Sequence, residues 1–304
     1  MSTNARLRAL VEVANTGSVR GAAARLVVTE SAISSALGAL SAEIGVPLMD
    51  RHGRGVRLTP AGTCYVEYAR RILGLHDEAV LAARGEVDPE HGSIRLAAVT
   101  TAGELLIPAL LASFTAKYPD VVCKLEVGSR TALWPMLTRH EVDVVVAGRP
   151  PAGLHQIKVQ AVSRNDLVVV GPPDIAEGFV AAEATWLLRE SGSGTRATTT
   201  MLLEELDISP PQMVLGSHGA VVAAAAAGLG VTLVHRQAVR RDLDGGVLVE
   251  LPVDGTPLER PWHIVTQSAC TGSTELLIKH LIAHRELGWH AVRGDTPTPD
   301  RDRR

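Results

Sequence analysis

Apolar positions along this chain recur with two periods. Leu7, Leu10, Val11 and Ala14 follow a 3.6-residue spacing and predict a first helix. Thr16-Gly17-Ser18 then supplies a turn and a serine cap for a second helix over VRGAAARL. Val27-Val28-Thr29 forms a tight turn, and Thr29 caps a third helix running to about Ile44, where Gly45 and Pro47 stop it. Its buried side is Ile33, Leu37, Leu40 and Ile44, while Ala32 and Ala36 are small enough for a close approach to a groove. Two short helices joined by such a turn match a helix-turn-helix. MDRHGRGVRLT, from Met49 to Thr59, reads as two extended arms around a basic turn at Gly53 and Gly55, a wing. Thr59-Pro60 restarts a helix that continues to about Glu86. Tyr65, Tyr68, Ile72, Leu75, Ala79 and Ala82 make a narrow seam on it, suited to pairing with a second helix.

From Ser93 the period shifts. SIRLAAV, VVCKLEV and VDVVVAG read as strands, alternating with helices over GELLIPALLASFTAKY and TALWPMLTRH. A second round opens at DLVVVGP and includes TWLLRE, a helix from Thr195 to Leu206, and VTLVHR. HIVTQ and a helix from Thr274 to Arg285 are expected to return to the first round. The alternation predicts α/β lobes with mostly parallel sheets. GAVVAAAAAGLGVTLV is broken by Gly228 and Gly230, short of the ~20 apolar residues of a membrane span. It reads as a buried helix followed by a buried strand. The expected division is a winged helix-turn-helix at 1–58 and a linker or dimerisation helix at 59–91. A two-lobed effector domain follows at 92–290, with lobe one at 92–162 and 266–290 and lobe two at 163–265. The polar tail at 291–304 is expected to be disordered.

Composition narrows the class. Of 304 residues, 46% are hydrophobic and 21% charged, as in an ordinary globular protein. Cys64, Cys123 and Cys270 form no CxxC pair, so neither a zinc ribbon nor a disulfide framework is indicated, and a reducing cytoplasm is the expected setting. The N-terminal stretch shows no signal-peptide core. The net charge of −3 is segregated: over residues 1–58 seven arginines against four acids leave +3, so the remainder carries −6. No catalytic, metal or cofactor motif stands out. His280 and His284 are spaced i, i+4 without a glutamate after the first, and read as two surface histidines. GSHGA does not match the Gly-x-Ser-x-Gly of a nucleophile elbow.

GSVRGAAARLVVTESAISSALGALSAEIGVPLMDRHGRGVRLTPAG, residues 17–62, resembles the LysR-type transcriptional regulators, whose pattern runs Gly-Ser, Ala-Ala-x-x-Leu, Ser-Ala-Ile-Ser, Leu-x-x-Glu-x-Gly-x-x-Leu, Arg, Leu-Thr-x-x-Gly. The order of parts along nearly the whole chain agrees. That resemblance implies a periplasmic-binding-protein type of effector domain and a cytoplasmic homodimer or homotetramer on double-stranded promoter DNA. It also implies a small effector between the lobes and RNA polymerase as a further partner. GSRTALWPMLTRHEVDVVVAGRPP (128–151) and ESGSGTR (190–196) are similar to members that control carbon-dioxide fixation genes. The alternative is a two-lobed cytoplasmic solute-binding or sensor protein with weak or lost DNA binding.

On this reading phosphate attraction comes from Arg20, Arg25, Arg51, Arg54 and Arg57, with Arg54 placed to enter a minor groove. Thr29, Glu30, Ser31, Ser34 and Ser35 face bases or phosphates. Glu30 stands where many members carry glutamine, and Ser35 and Gly38 where members often carry arginine. Effector contacts are expected at strand ends and helix starts: Thr100, Thr101, Ser129, Arg130, Thr131, Gly148, Arg149, Ser191, Ser193, Gly194, Thr195, Arg196 and His218. Arginines there favour an organic acid or a phosphorylated metabolite.

Overall fold

The computed structural model describes residues 2–52, 55–284 and 288–292. The chain divides into two compact units, Met1–Arg84 with Met136–Val142, and Gly85–Pro135 with Asp143–Arg304.

In the first unit α1 (Thr3–Thr16), α2 (Val19–Leu26) and α3 (Glu30–Ile44) precede a hairpin of β1 (Met49–His52) and β2 (Gly55–Leu58), then α4 (Pro60–Val87). Side-chain caps set three of the helix starts: Ser18 Oγ accepts from Gly21 N (3.0 Å), Thr29 Oγ1 from Ala32 N (3.2 Å) and Thr59 Oγ1 from Gly62 N (2.9 Å). β1 and β2 are antiparallel, with Met49 opposite Leu58. Leu7, Leu10, Ile33, Leu37 and Leu40 share one core with Val66, Ala69 and Leu73 of α4. Ala36 is buried there and does not face a groove. Three residues after Ile33 and four before Leu40, it falls on their side of the helix. The core stripe of α4 therefore lies beside the seam read from sequence, whose Tyr68, Ile72 and Leu75 remain exposed. Segment Met136–Val142 packs on α4 in this unit, Arg139 pairing with Glu67 and His140 with Glu78. Gly74 leaves room there for the Arg139 carbonyl, which a side chain would strike.

The turn between α2 and α3 carries a strained residue. Val27 sits in the left-handed region at φ 55°, 89% exposed. A β-branched residue there costs about 1–2 kcal/mol, and asparagine tolerates the same conformation better. Val27→Asn is expected to raise unfolding stability by roughly 1 kcal/mol, read as a higher urea midpoint at unchanged slope. A midpoint that stays put or falls counts against the strain.

The second unit builds two lobes. In lobe one run β3 (Ser93–Val99), α5 (Thr100–Leu105), α6 (Ile107–Lys117), β4 (Val122–Gly128), α7 (Arg130–Thr138), β5 (Val144–Ala147) and β6 (Ile157–Ser163). Lobe two holds β7 (Asp166–Gly171), β8 (Trp186–Leu188), α8 (Gly194–Glu205), β9 (Gln212–Val214), α9 (His218–Ala226), β10 (Thr232–His235), α10 (Arg240–Asp244), β11 (Val249–Glu250) and β12 (Leu258–Glu259). The chain then returns through β13 (Trp262–Gln267), α11 (Gly272–Ala283) and β14 (Trp289–Ala291). The first sheet is ordered β14-β6-β13-β5-β3-β4. In the second, β7 pairs with β10, β11 and β12.

Four expectations change. The sheets are mixed, not mostly parallel: β3 is parallel to β4 and β5, and β8 to β9, but β13 is antiparallel to β5 and β6, and β7 to its three partners. The chain leaves lobe one at Ser163 and re-enters at Trp262 directly opposite, so the returning strand must run back along β6. The single helix expected over 103–118 is two, since Pro108 has no N–H for the preceding turn and disfavours helix just before it. α9 buries only the face of His218, Val221 and Ala225, while β10 is buried throughout. His280 is 3% exposed, not on the surface, because it shares a helical face with Ser273, Leu277 and Leu281. Its Nε2 meets Ser113 Oγ at 2.9 Å.

Among the described residues Cys64, Cys123 and Cys270 form no disulfide. No single helix among the described residues is long and apolar enough to cross a membrane. Residues 293–304, most of the expected tail, lie outside the described residues.

Candidate functional site

The first unit presents one polar helix face. Thr29, Glu30, Ser31, Ser34 and Ser35 are exposed along the start and middle of α3. Thr29 Oγ1 both caps the helix and lies 3.0 Å from Ser31 Oγ. Arg20 on α2 and Arg57 on β2 are exposed and carry no ion pair among the described residues. The other arginines of α1 and α2 are matched by acids: Arg25 meets Glu12 at 3.3 Å, Arg6 meets Glu43 at 2.8 Å and Arg8 meets Asp77 at 3.2 Å. The charge excess of this segment is thus narrower than a residue count suggests. Arg54 and the side chain of Arg51 lie outside the described residues.

In the second unit, helix starts from both lobes meet. Thr101 is buried in the first turn of α5, directly after β3. Ser129 Oγ and Thr131 Oγ1 are 3.0 Å apart at the start of α7, and Arg130 Nη2 donates to the Arg149 carbonyl (2.8 Å) beyond β5. Gly148 opens onto free space. From lobe two, Ser193 caps α8, and Arg196 Nη1 donates to the Arg189 carbonyl (3.3 Å). A methyl group on Gly192 would stand 3.5 Å from Thr131 Oγ1, and one on Gly194 would stand 3.8 Å from Arg130 Cδ, so the Ser191–Gly194 turn lies against the start of α7. His218 opens α9 and is buried, the cap being Ser217. Thr100, Ser191 and Thr195 show no side-chain contact to this group among the described residues.

Two cleft residues escape sequence reasoning. Arg189, at the end of β8, is 5% exposed. Its Nε and Nη2 donate to Glu190 Oε2 and Oε1, both at 2.7 Å, and its Nη1 reaches Thr101 Oγ1 of lobe one at 3.5 Å. The hydrogen bonds from Arg189 hold the Glu190 carboxyl below its usual range. Burial, reinforced by the Arg189 charge, pushes His218 down to about 4. Burial likewise pushes His235 down to about 3. The His235 ring stacks on Trp262 at 4.6 Å and its Nδ1 donates to Asn165 Oδ1 (2.9 Å), while Asn165 Nδ2 donates to the Arg260 carbonyl (2.7 Å). This group pins the two crossings between the lobes. His263 is lowered by burial, against a hydrogen bond to the Pro261 carbonyl.

Comparison with known proteins decides the family. Residues 5–63 match the model of bacterial regulatory helix-turn-helix proteins of the lysR family, and residues 88–285 match that of the LysR substrate binding domain. The chain belongs to the LysR family of transcriptional regulators. It is a DNA-binding regulator with an effector-binding domain. Among LysR relatives, it is 32% identical over 271 residues to the HTH-type transcriptional regulator CfxR of Cupriavidus necator, covering 87% of this chain and 85% of that protein. It is also 32% identical over 271 residues to a RuBisCO operon transcriptional regulator of Acidithiobacillus ferrooxidans, covering 86% of each. Full-length CbnR complexed with its target DNA shares the fold at TM-score 0.65 and 21% identity, over 93% of this chain and 99% of that one. The CcmR regulatory domain of Synechocystis PCC6803, in complex with 2-PG, is 26% identical at TM-score 0.58, over 63% of this chain and 96% of that domain.

Proposed function

We propose that this LysR regulator acts in the cytoplasm as a homo-oligomer, without enzymatic activity, on promoters of carbon-dioxide fixation genes. A small anion in the cleft between its lobes modulates it. The observation that carries this reading is that the Arg130 and Arg196 guanidiniums lie at the starts of α7 and α8, held to the backbone of Arg149 and Arg189, while the Arg189 guanidinium stands by Thr101 with Glu190 as the acid bonded to it among the described residues. Arg130 Nε is buried without an acceptor among the described residues, a donor that a bound carboxylate or phosphate would satisfy. The complexes of CbnR with DNA and of CcmR with 2-PG support the two halves of the reading by analogy. We assign lobe one to β3–β6 with β13 and β14, and lobe two to β7–β12. Effector binding moves one lobe against the other and so changes how the paired DNA-binding domains are presented, a coupling of about 1–3 kcal/mol.

On the DNA side, α3 lies in the major groove with Ser31, Ser34, Ser35 and Glu30 toward base edges, and Arg20 and Arg57 hold phosphates. The test is a gel shift on the chain's own upstream region over a range of salt. Arg20→Met and Arg57→Met should each weaken binding to all sequences alike and lower the salt slope by about 1 per half-site. Addition of 2-PG should change the wild-type shift or footprint. Unchanged slopes in both variants would remove these residues from the interface. Failure of the wild type to shift any upstream DNA would favour a solute sensor.

A further inference from the structure

The buried Arg189 is already engaged. Its guanidinium lies 5% exposed at the end of β8, and Glu190 forks it from the adjacent position through two 2.7 Å bonds. A guanidinium so far from water needs an anion at all times. Glu190 itself is 34% exposed, so its carboxylate reaches the open side of the cleft while the arginine does not. Among the described residues the remaining arginine nitrogen, Nη1, has only the 3.5 Å contact to Thr101 across the lobes, and Arg196 ties down the Arg189 backbone from α8. The fork is therefore a strong pairing of a fixed cation beside the starts of α7 and α8, and its acid belongs to the protein.

We infer that Glu190 is a built-in competitor for the anionic effector: its carboxylate holds Arg189 while the cleft is free of effector, and an incoming carboxylate or phosphate takes Arg189 over as Glu190 swings outward to solvent. This rests on the anion reading of the cleft. The exchange swaps one acid for another on the same donors, so Arg189 stays paired throughout, and the cost falls on moving Glu190 and on its repulsion of the newcomer. The residue thus sets both the threshold of effector needed and the preference among anions. Weakly charged acids displace it poorly, and multiply charged ones do so at the cost of like-charge contact.

The test is calorimetric titration of the full chain with inorganic phosphate and with 2-PG. Glu190→Gln keeps the shape and removes the charge, and should tighten anion binding by about tenfold or more. Glu190→Asp, which keeps the charge but shortens the reach, should give a smaller gain and guards against a folding loss in the amide variant. Arg196→Met should weaken binding in every background. Binding by the wild type that Arg196→Met abolishes, with neither Glu190 variant tighter, overturns the competitor role and leaves the cleft reading standing. No binding of either anion by the wild type or by Glu190→Gln overturns both. Binding by Glu190→Gln alone supports the competitor directly.

Discussion

Replacing Ile72 and Leu75 together by glutamate is expected to leave a folded monomer that no longer holds promoter DNA at physiological salt. Both side chains are about half exposed in the protomer, 47% and 53%, on a face of α4 beside the buried stripe of Val66, Ala69 and Leu73, so the substitution leaves the core of the first unit intact. In a symmetric pair four apolar side chains lose the burial of their exposed halves, at about 0.8–1.5 kcal/mol each, and four carboxylates face one another. A loss of at least roughly 3 kcal/mol weakens dimerisation by more than about two decades. Sedimentation should show one chain, circular dichroism should be unchanged, and the DNA shift should vanish as paired half-sites lose their avidity. An intact dimer would place the self-contact elsewhere than on this stripe.

The effector domain is expected to lose roughly 3 kcal/mol between pH 6.5 and pH 5, through His218 and His235. Both are held neutral in the fold, at about 4 and about 3, against 6.5 in the unfolded chain. Their contribution is therefore fully present above pH 6.5 and is lost as pH falls toward the folded values, because only the unfolded chain takes up the protons. His263, also lowered, adds in the same direction. The melting temperature of this domain should fall by roughly 6–12 °C over that window. His235→Asn should cut the pH slope by nearly half, with a baseline cost from the lost stacking on Trp262. A melting curve that does not move with pH, or a slope the variant leaves intact, rules the account out.

What could be read in advance was local. The caps at Ser18, Thr29 and Thr59 act over three residues, so helix starts show in the chain itself. The polar face of α3 follows from the spacing of its core residues, and only Ala36 was misplaced, because an alanine carries too little apolar weight to declare its side. β6 was passed over although Ile157, Val159 and Ala161 alternate with Lys158 and Gln160 as in a half-buried strand, and β11 and β12 were missed because two residues make no period. The start of α8 was legible at Ser193 and Gly194, where serine and glycine mark it. The fork at Arg189 was not, since its burial depends on a neighbouring lobe distant in sequence. His280 looked exposed for the same reason, since its partner Ser113 lies on another helix.

The place of β13 has a consequence for how the protein is made. This strand sits between β5 and β6, yet all of lobe two separates it from them in the chain. During synthesis lobe two emerges whole before the strand that completes lobe one is available. Until then β5, the wholly apolar Val144–Ala147, and β6 present open edges that another nascent copy can pair with. The interval is set by the time the ribosome takes over lobe two. The same long-range closure that makes the domain one piece is thus expected to fold slowly and to leave edges open to aggregation.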